Sequence, residues 1–176
     1  MKLYHTGKEE IRIPDVRHGR KNADFRQGFY LTPDKEFALR WAGRDAVINE
    51  YELDTEGLVV HRFTRTREWF DYIFGNRRLQ DLLTADVVIG PIANDTIYDT
   101  FGIIGSGLLD PDDALSLLLI GPEYIQAALK SEKAAAQLTW TGAEVIWDTE
   151  RYRQILRKEQ EAYRKLFAEA MLKLDR

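Results

Sequence analysis

Two short segments rich in β-forming residues flank a loop at the start of the chain, and this arrangement constrains the fold most. Residues Lys2–Gly7 and 28–32 each have the composition of a short strand. Pro33 and Asp34 then begin a predicted helix, because proline is favoured in the first helical turn. A strand, a loop, a strand and a helix within the first 42 residues indicate a fold that mixes sheets and helices.

The rest of the chain continues this mixture. Further strands are predicted at Val47–Leu53, 58–63, 86–91 and 137–141. Further helices are predicted at 67–83, 94–101, 108–120, 122–136 and 148–174. The last of these is long and carries one apolar stripe with charges elsewhere. No repeat or linker divides the sequence, so we expect one α+β domain over residues 1–176.

Charge and cysteine content exclude several classes of function. The net charge of −4 gives no overall electrostatic footprint for nucleic acid. The absence of cysteine excludes disulfides, thiolate zinc sites and cysteine nucleophiles, and fits a reducing compartment such as the cytoplasm. His61 has no partners at metal-ligand spacing, so no metal is expected. The apolar runs fall short of the roughly 20 residues that span a bilayer, so no membrane insertion is expected.

Three motifs follow one another in the first quarter of the sequence: Leu3-Tyr-His-Thr-Gly7, Asp24-Phe-Arg-Gln-Gly-Phe-Tyr-Leu-Thr32 and Ala38-Leu-Arg-Trp-Ala42. In this order and spacing they resemble the ADP-ribosyltransferase superfamily. The closest resemblance is to the bacterial family catalogued as domain of unknown function 3990. It extends over most of residues 1–141, including 86–95, and omits the C-terminal helix. The resemblance implies a split β core of mixed and antiparallel strands with flanking helices.

The resemblance implies that the first two motifs bind NAD+. His5 would hydrogen-bond the adenosine ribose, and the backbone of Thr6 and Gly7 would hold the nicotinamide carboxamide. Tyr30 and Trp41 would stack on the two faces of the nicotinamide, which gains dispersion and cation–π attraction. Alternatively, His5 is a surface or satisfied core histidine, and the two aromatic residues belong to the core.

The loop between the first two motifs contributes further candidates. Arg20 could bind the pyrophosphate with its planar guanidinium, and Asp24 could fix the loop. Phe25 and Thr32, which flank Tyr30 in the motif, are assigned to the same site by the resemblance. The alternative is that Arg20 belongs to a solvated basic turn. Arg26 stands where the family has glycine, so the loop is expected to differ there.

The resemblance implies a third catalytic position, and the residue at that position differs from the one in the superfamily. In the superfamily a glutamate that opens a late strand commonly holds the ribose 2′-hydroxyl and stabilises the oxocarbenium-like transition state. Gln137, at the head of the last predicted strand, is the best match and lacks a charge. Asp95 could supply the carboxylate and Asn94 a ribose contact, or both could simply cap a helix. Without the glutamate the product is expected to be a single ADP-ribose.

Two functions remain in view. The first is an NAD+-dependent mono-ADP-ribosyltransferase that releases nicotinamide and modifies an unknown acceptor, with NAD+ hydrolysis when water is the acceptor. Relatives often accompany small proteins in bacterial toxin–antitoxin or defence modules, which implies a toxin with an antitoxin or immunity protein as partner. The second is a catalytically silent module that binds nucleotide or protein. The helix at 148–174 would dock a partner in that case, or pack on its own domain.

Overall fold

A computed structural model describes residues 1–79, 83–98, 101–104 and 106–174. The described strands are β1 (Lys2–Gly7), β2 (Phe29–Leu31), β3 (Val47–Leu53), β4 (Val60–Arg62), β5 (Val87–Pro91), β6 (Ile125–Leu129) and β7 (Leu138–Val145). The described helices are α1 (Lys35–Arg40), α2 (Arg67–Arg77), α3 (Asn94–Tyr98), α4 (Phe101–Ile104), α5 (Pro111–Leu118), α6 (Glu132–Ala136) and α7 (Thr149–Leu174).

The strands form two sheets that meet at β1 and β2. One sheet is antiparallel with the order β1-β3-β7, and the other is mixed with the order β2-β6-β5-β4, in which β4 and β5 are parallel. Tyr4 and Thr32 bridge the sheets through two main-chain hydrogen bonds of 2.8 and 2.9 Å. The predicted α+β class, with a split mixed and antiparallel β core and a long C-terminal helix, is confirmed.

Apolar residues on both faces of the four-stranded sheet form the core. One cluster includes Leu3 and Tyr51 of the three-stranded sheet together with Val87 and Leu129 of the four-stranded one. A second cluster joins the other face of that sheet to α2, α5 and α7. Burying both faces of β5 and β6 explains why apolar residues occupy consecutive positions at Val87-Val-Ile89 and Ala127-Ala-Leu129 rather than alternating with polar ones.

The long C-terminal helix packs on the same chain. Tyr163 and Phe167 are its buried residues, and they belong to the core cluster that also contains α2 and α5. Arg40 of α1 donates from Nε to the Glu159 carboxylate at 3.0 Å. Intramolecular packing, one of the two roles considered for this helix, therefore accounts for its apolar stripe. None of the described helices is both long and apolar enough to cross a bilayer.

The helix predicted at 122–136 is wrong. This segment instead forms strand β6, then the short helix α6, whose N-cap Ser131 accepts a hydrogen bond from the Ala134 amide at 3.1 Å. The run Ala127-Ala-Leu129 has helical propensity, but burial in the middle of a sheet overrides it. The helix predicted at 67–83 ends at Arg77, and residues 80–82 of that prediction lie outside the described residues.

Candidate functional site

A cavity of about 980 Å³ opens beside β1 and β2, a volume within the range of small-molecule sites. Its walls come from these strands, the loop between them, α1, the end of α2 and α3. Many of the residues predicted to bind a ligand line it, namely His5, Thr6, Arg20, Asp24, Tyr30, Thr32, Trp41 and Asp95. The structure therefore brings the first two motifs to one place.

His5 joins the two motifs directly. Its Nδ1 atom lies 2.6 Å from the Tyr30 main-chain oxygen. Because a carbonyl can only accept, Nδ1 carries the proton and donates, which leaves Nε2 as the acceptor of the neutral ring. Burial lowers the pKa of His5 and outweighs the opposing effect of the Tyr30 carbonyl. The imidazole also stacks on Phe29 with ring centroids 4.4 Å apart.

Both the main-chain oxygen and the side-chain hydroxyl of Tyr30 are hydrogen-bonded. Its hydroxyl donates to the Arg26 main-chain oxygen at 2.6 Å and accepts from the Phe25 amide at 3.0 Å. Arg26 has a φ of 63°, a conformation that a non-glycine residue rarely adopts, so these bonds stabilise the turn at that position. Burial raises the pKa of Tyr30, and its hydroxyl stays protonated.

Trp41 is the exposed aromatic residue of the cavity. It follows the last residue of α1, is 45% exposed, and meets Phe37 edge to face at 6.0 Å. Thr6 donates from its hydroxyl to the Ala38 main-chain oxygen at 2.6 Å, which ties α1 to β1. The indole is therefore positioned by a fixed helix while a large part of its surface remains available.

Asp24, Arg77 and Asp95 form a buried ionic cluster in the cavity wall. Arg77 Nη2 lies 2.8 Å from Asp24 Oδ1, and the two terminal nitrogens of Arg77 lie 2.9 Å from the two oxygens of Asp95. Burial raises the pKa of Asp95 against the opposing effect of Arg77. Burial also lowers the pKa of Arg77, but the two carboxylates outweigh it and raise that pKa. With two carboxyl groups and one guanidinium, the cluster has a formal charge of −1.

The sequence did not indicate Arg77 as a site residue, because a basic residue in the last turn of a helix is commonly explained by its favourable interaction with the helix dipole. Its partner Asp24 was predicted to fix the loop, and the structure supports that role. The Asp24 carboxylate also accepts from the Ala93 amide at 3.2 Å, while Asn76 donates from its side chain to the Asp24 main-chain oxygen at 2.8 Å. The loop before β2 is thus bound to α2 and to the start of α3.

Four predicted site residues are not among those that line the cavity: Gly7, Phe25, Asn94 and Gln137. Phe25 is fully buried in the core beside Phe63 and Tyr72. Asn94 is also buried, and its side-chain amide donates to the main-chain oxygens of Ile120 and Pro122. Gly7 ends β1.

Gln137 has a structural role outside the cavity that the motif residues line. It is the C-cap of α6, and its side-chain amide donates to the main-chain oxygens of Asp54 and Glu56 at 2.9 and 3.0 Å. The strand that follows it, β7, is an edge strand of the three-stranded sheet and is separated by β3 from β1, which carries His5, and Gln137 does not line the cavity. The structure therefore does not bring Gln137 together with His5 and Tyr30.

Strand β6, which pairs with β2, supplies residues that the sequence analysis missed. Gln126 lines the cavity and is only 7% exposed. Thr32 donates from its hydroxyl to the Ile125 main-chain oxygen at 2.8 Å, so the start of β6 lies at the cavity wall. Glu123 stands two residues before this strand, with its carboxylate 3.6 Å from Arg65 Nε. Recognising 125–129 as a strand that pairs with β2 would have placed Gln126 near the motif residues.

Comparison with known proteins gives one family. A family model described as "Protein of unknown function (DUF3990)" matches residues 1–140. That range contains all the residues that line the cavity and ends before α7. No curated protein matches the sequence.

Proposed function

The chain belongs to the DUF3990 family, and we propose that it is an ADP-ribosyltransferase-like enzyme that binds NAD+ in the cavity beside β1 and β2. The observation that carries the proposal is the convergence of three motif residues. His5 of β1, Tyr30 of β2 and Trp41 at the end of α1 line one cavity, although about 36 residues separate the first from the last. The resemblance assigns the same three residues to NAD+.

The cavity has chemistry suited to each part of NAD+. The acceptor Nε2 of neutral His5 fits a ribose hydroxyl, and the half-exposed indole of Trp41 offers a face to the nicotinamide ring. Arg20, in the loop at the cavity edge, can pair with the pyrophosphate. The negative charge of the Asp24, Arg77 and Asp95 cluster favours the cationic end of the molecule.

The proposed reaction is a displacement at C1′ of the nicotinamide ribose. The C–N glycosidic bond breaks, its electron pair goes to the ring nitrogen, and nicotinamide leaves as a neutral molecule. An acceptor oxygen or nitrogen forms the new bond to C1′ and loses its proton to solvent or a base. Positive charge develops on the ribose in the transition state, and a preorganised negative cluster in a buried wall stabilises such charge.

We further propose Glu123 in place of Gln137 at the third catalytic position. In the superfamily this position opens a late strand, and β6 is the late strand that pairs with the strand of Tyr30. Glu123 precedes β6, whereas Gln137 precedes a strand of the other sheet. The alternative role of Glu123 is its ion pair with the largely buried side chain of Arg65.

The cellular setting follows from the resemblance. Relatives accompany small partner proteins in bacterial toxin–antitoxin or defence modules, so we propose a toxin role with an antitoxin or immunity protein as partner. A cysteine-free sequence fits the cytoplasm as its compartment. The labelling experiment described below identifies the chemical class of the ADP-ribose acceptor.

One observation favours the second function, a catalytically silent module. Both buried carboxylates of the cavity wall, Asp24 and Asp95, are paired with Arg77, and Glu123 is not among the residues that line the cavity. A pocket without a carboxylate at the reacting carbon would bind NAD+ and leave it intact.

The test is incubation with NAD+ labelled in both the adenylate and the nicotinamide, with and without cell extract. The wild type should release nicotinamide and transfer the adenylate label to an acceptor or to water. Glu123→Gln should slow release by about 100-fold while NAD+ still binds, whereas Gln137→Ala should release nicotinamide at the wild-type rate. Binding without release by the wild type would establish the silent module. Loss of release in Gln137→Ala alone would overturn the assignment to Glu123.

A further inference from the structure

Gln126 is a buried polar residue at the centre of the sheet that forms the cavity wall. Strand β6 lies between β2 and β5, and Gln126 is opposite Gly90 of β5. Ala128, two residues further along, is opposite Tyr30 of β2. Because side chains two residues apart in a strand share a face, Gln126 lies on the same face of the sheet as Tyr30.

The side-chain amide of Gln126 lacks a partner for one of its atoms. Its Nε2 atom is buried and has no hydrogen-bond partner among the described residues. A buried donor without an acceptor is destabilising, and such groups are uncommon in native structures. The side chain also lines the cavity, so a ligand in the cavity is in a position to supply the missing acceptor.

The charge of the cavity indicates which kind of oxygen accepts the hydrogen bond from Gln126. The Asp24, Arg77 and Asp95 cluster contributes a net negative charge to the same cavity, which disfavours a phosphate oxygen on this side. A hydroxyl oxygen is neutral and offers two lone pairs. Arg20, on the loop, is the cationic residue of the cavity suited to phosphate.

We propose that Gln126 determines ligand specificity by donating a hydrogen bond from Nε2 to a hydroxyl of the nicotinamide ribose of NAD+. This inference rests on the proposed function. The nicotinamide ribose is chosen because Gln126 shares a sheet face with Tyr30, the proposed platform for the nicotinamide ring. His5, on β1, is left to the adenosine ribose.

According to the proposal, the unpaired amide of Gln126 lowers the stability of the ligand-free protein and strengthens NAD+ binding in the complex. Replacing it by methionine, which has a similar volume and no donor, removes the unpaired amide. Gln126→Met should therefore keep or raise the melting temperature of the ligand-free protein and weaken NAD+ binding. A merely structural glutamine would give the opposite result for stability, since its removal would lower the melting temperature.

The experiment measures dissociation constants for four ligands by calorimetry: NAD+, its 2′-deoxy and 3′-deoxy analogues in the nicotinamide ribose, and its 2′-deoxy analogue in the adenosine ribose. The proteins are the wild type, Gln126→Met and the control Gln154→Met, an exposed glutamine on α7. The wild type and Gln154→Met should bind NAD+ about tenfold more tightly than one nicotinamide-ribose analogue. Gln126→Met should bind the two with equal affinity and still discriminate against the adenosine-ribose analogue.

Four outcomes would overturn the inference. Unchanged discrimination in Gln126→Met would do so while leaving NAD+ binding, and with it the proposed function, intact. Lost discrimination only at the adenosine ribose would assign Gln126 to the other end of the ligand. Failure of the wild type to bind NAD+ would overturn both proposals. A lower melting temperature in Gln126→Met with unchanged affinities would show a structural role.

Discussion

The Nδ1 atom of His5 lies 2.6 Å from the main-chain oxygen of Tyr30, so a residue of the first motif holds the backbone of the second. The Tyr4–Thr32 bridge lies next to this contact. The two sheets therefore meet where the proposed ligand site is formed, and a change that separates β1 from β2 should alter the site and the fold together.

The first prediction concerns pH. The folded-state pKa of His5 lies below the ordinary value of 6.5 because of burial. The folded protein therefore binds fewer protons than the unfolded chain between these two pKa values, and the neutral ring favours folding above about pH 6.5. As the pH falls from 7 to 5, the wild type should lose stability relative to His5→Gln in urea unfolding experiments. A difference that stays constant or grows in favour of the wild type would contradict this assignment.

The second prediction separates the ring of Tyr30 from its hydroxyl. Tyr30→Phe removes the acceptor of the Phe25 amide and the donor to the Arg26 carbonyl. The free energy of unfolding should fall by about 1–2 kcal/mol, and NAD+ affinity should change little because the ring remains. Tyr152→Phe is the control, since the Tyr152 hydroxyl bonds to no other described residue. An equal loss of stability in both variants would show that the two hydrogen bonds do not matter.

The third prediction concerns the ionic cluster. Arg77→Met leaves Asp24 and Asp95 buried without their cation, which should reduce the free energy of unfolding by about 3–5 kcal/mol. The neighbouring Arg78→Met is the matched control, because Arg78 is exposed and exposed substitutions stay within about 0.5 kcal/mol. Denaturant unfolding of the two variants makes the comparison. Similar stabilities would mean that the cluster contributes little.

Much of the fold and part of the site could be predicted from local patterns. The strand Val47–Leu53 was predicted with its exact bounds because apolar and polar residues alternate along it. The motif residues His5 and Tyr30 were placed on the right strands because their segments are rich in β-forming residues, whereas Trp41, predicted within a helix, is the C-cap that follows α1. These features depend on residues close together in the sequence.

The remaining features depend on contacts between distant segments. Strand β6 is buried on both sides, so its sequence has no alternation, and a run of alanine and leucine was interpreted as a helix. That error hid the position of Gln126 in the cavity wall. Arg77 is 53 residues from Asp24, and no local pattern predicts their pairing.

Titration calorimetry on two tryptophan variants shows whether NAD+ binds in the cavity beside β1 and β2. Trp41 lines the cavity, whereas Trp147 is 88% exposed and is not among the lining residues. We expect saturable binding by the wild type, about tenfold weaker binding by Trp41→Ala, and unchanged binding by Trp147→Ala. No binding by the wild type, or equal affinity in the two variants, would contradict it.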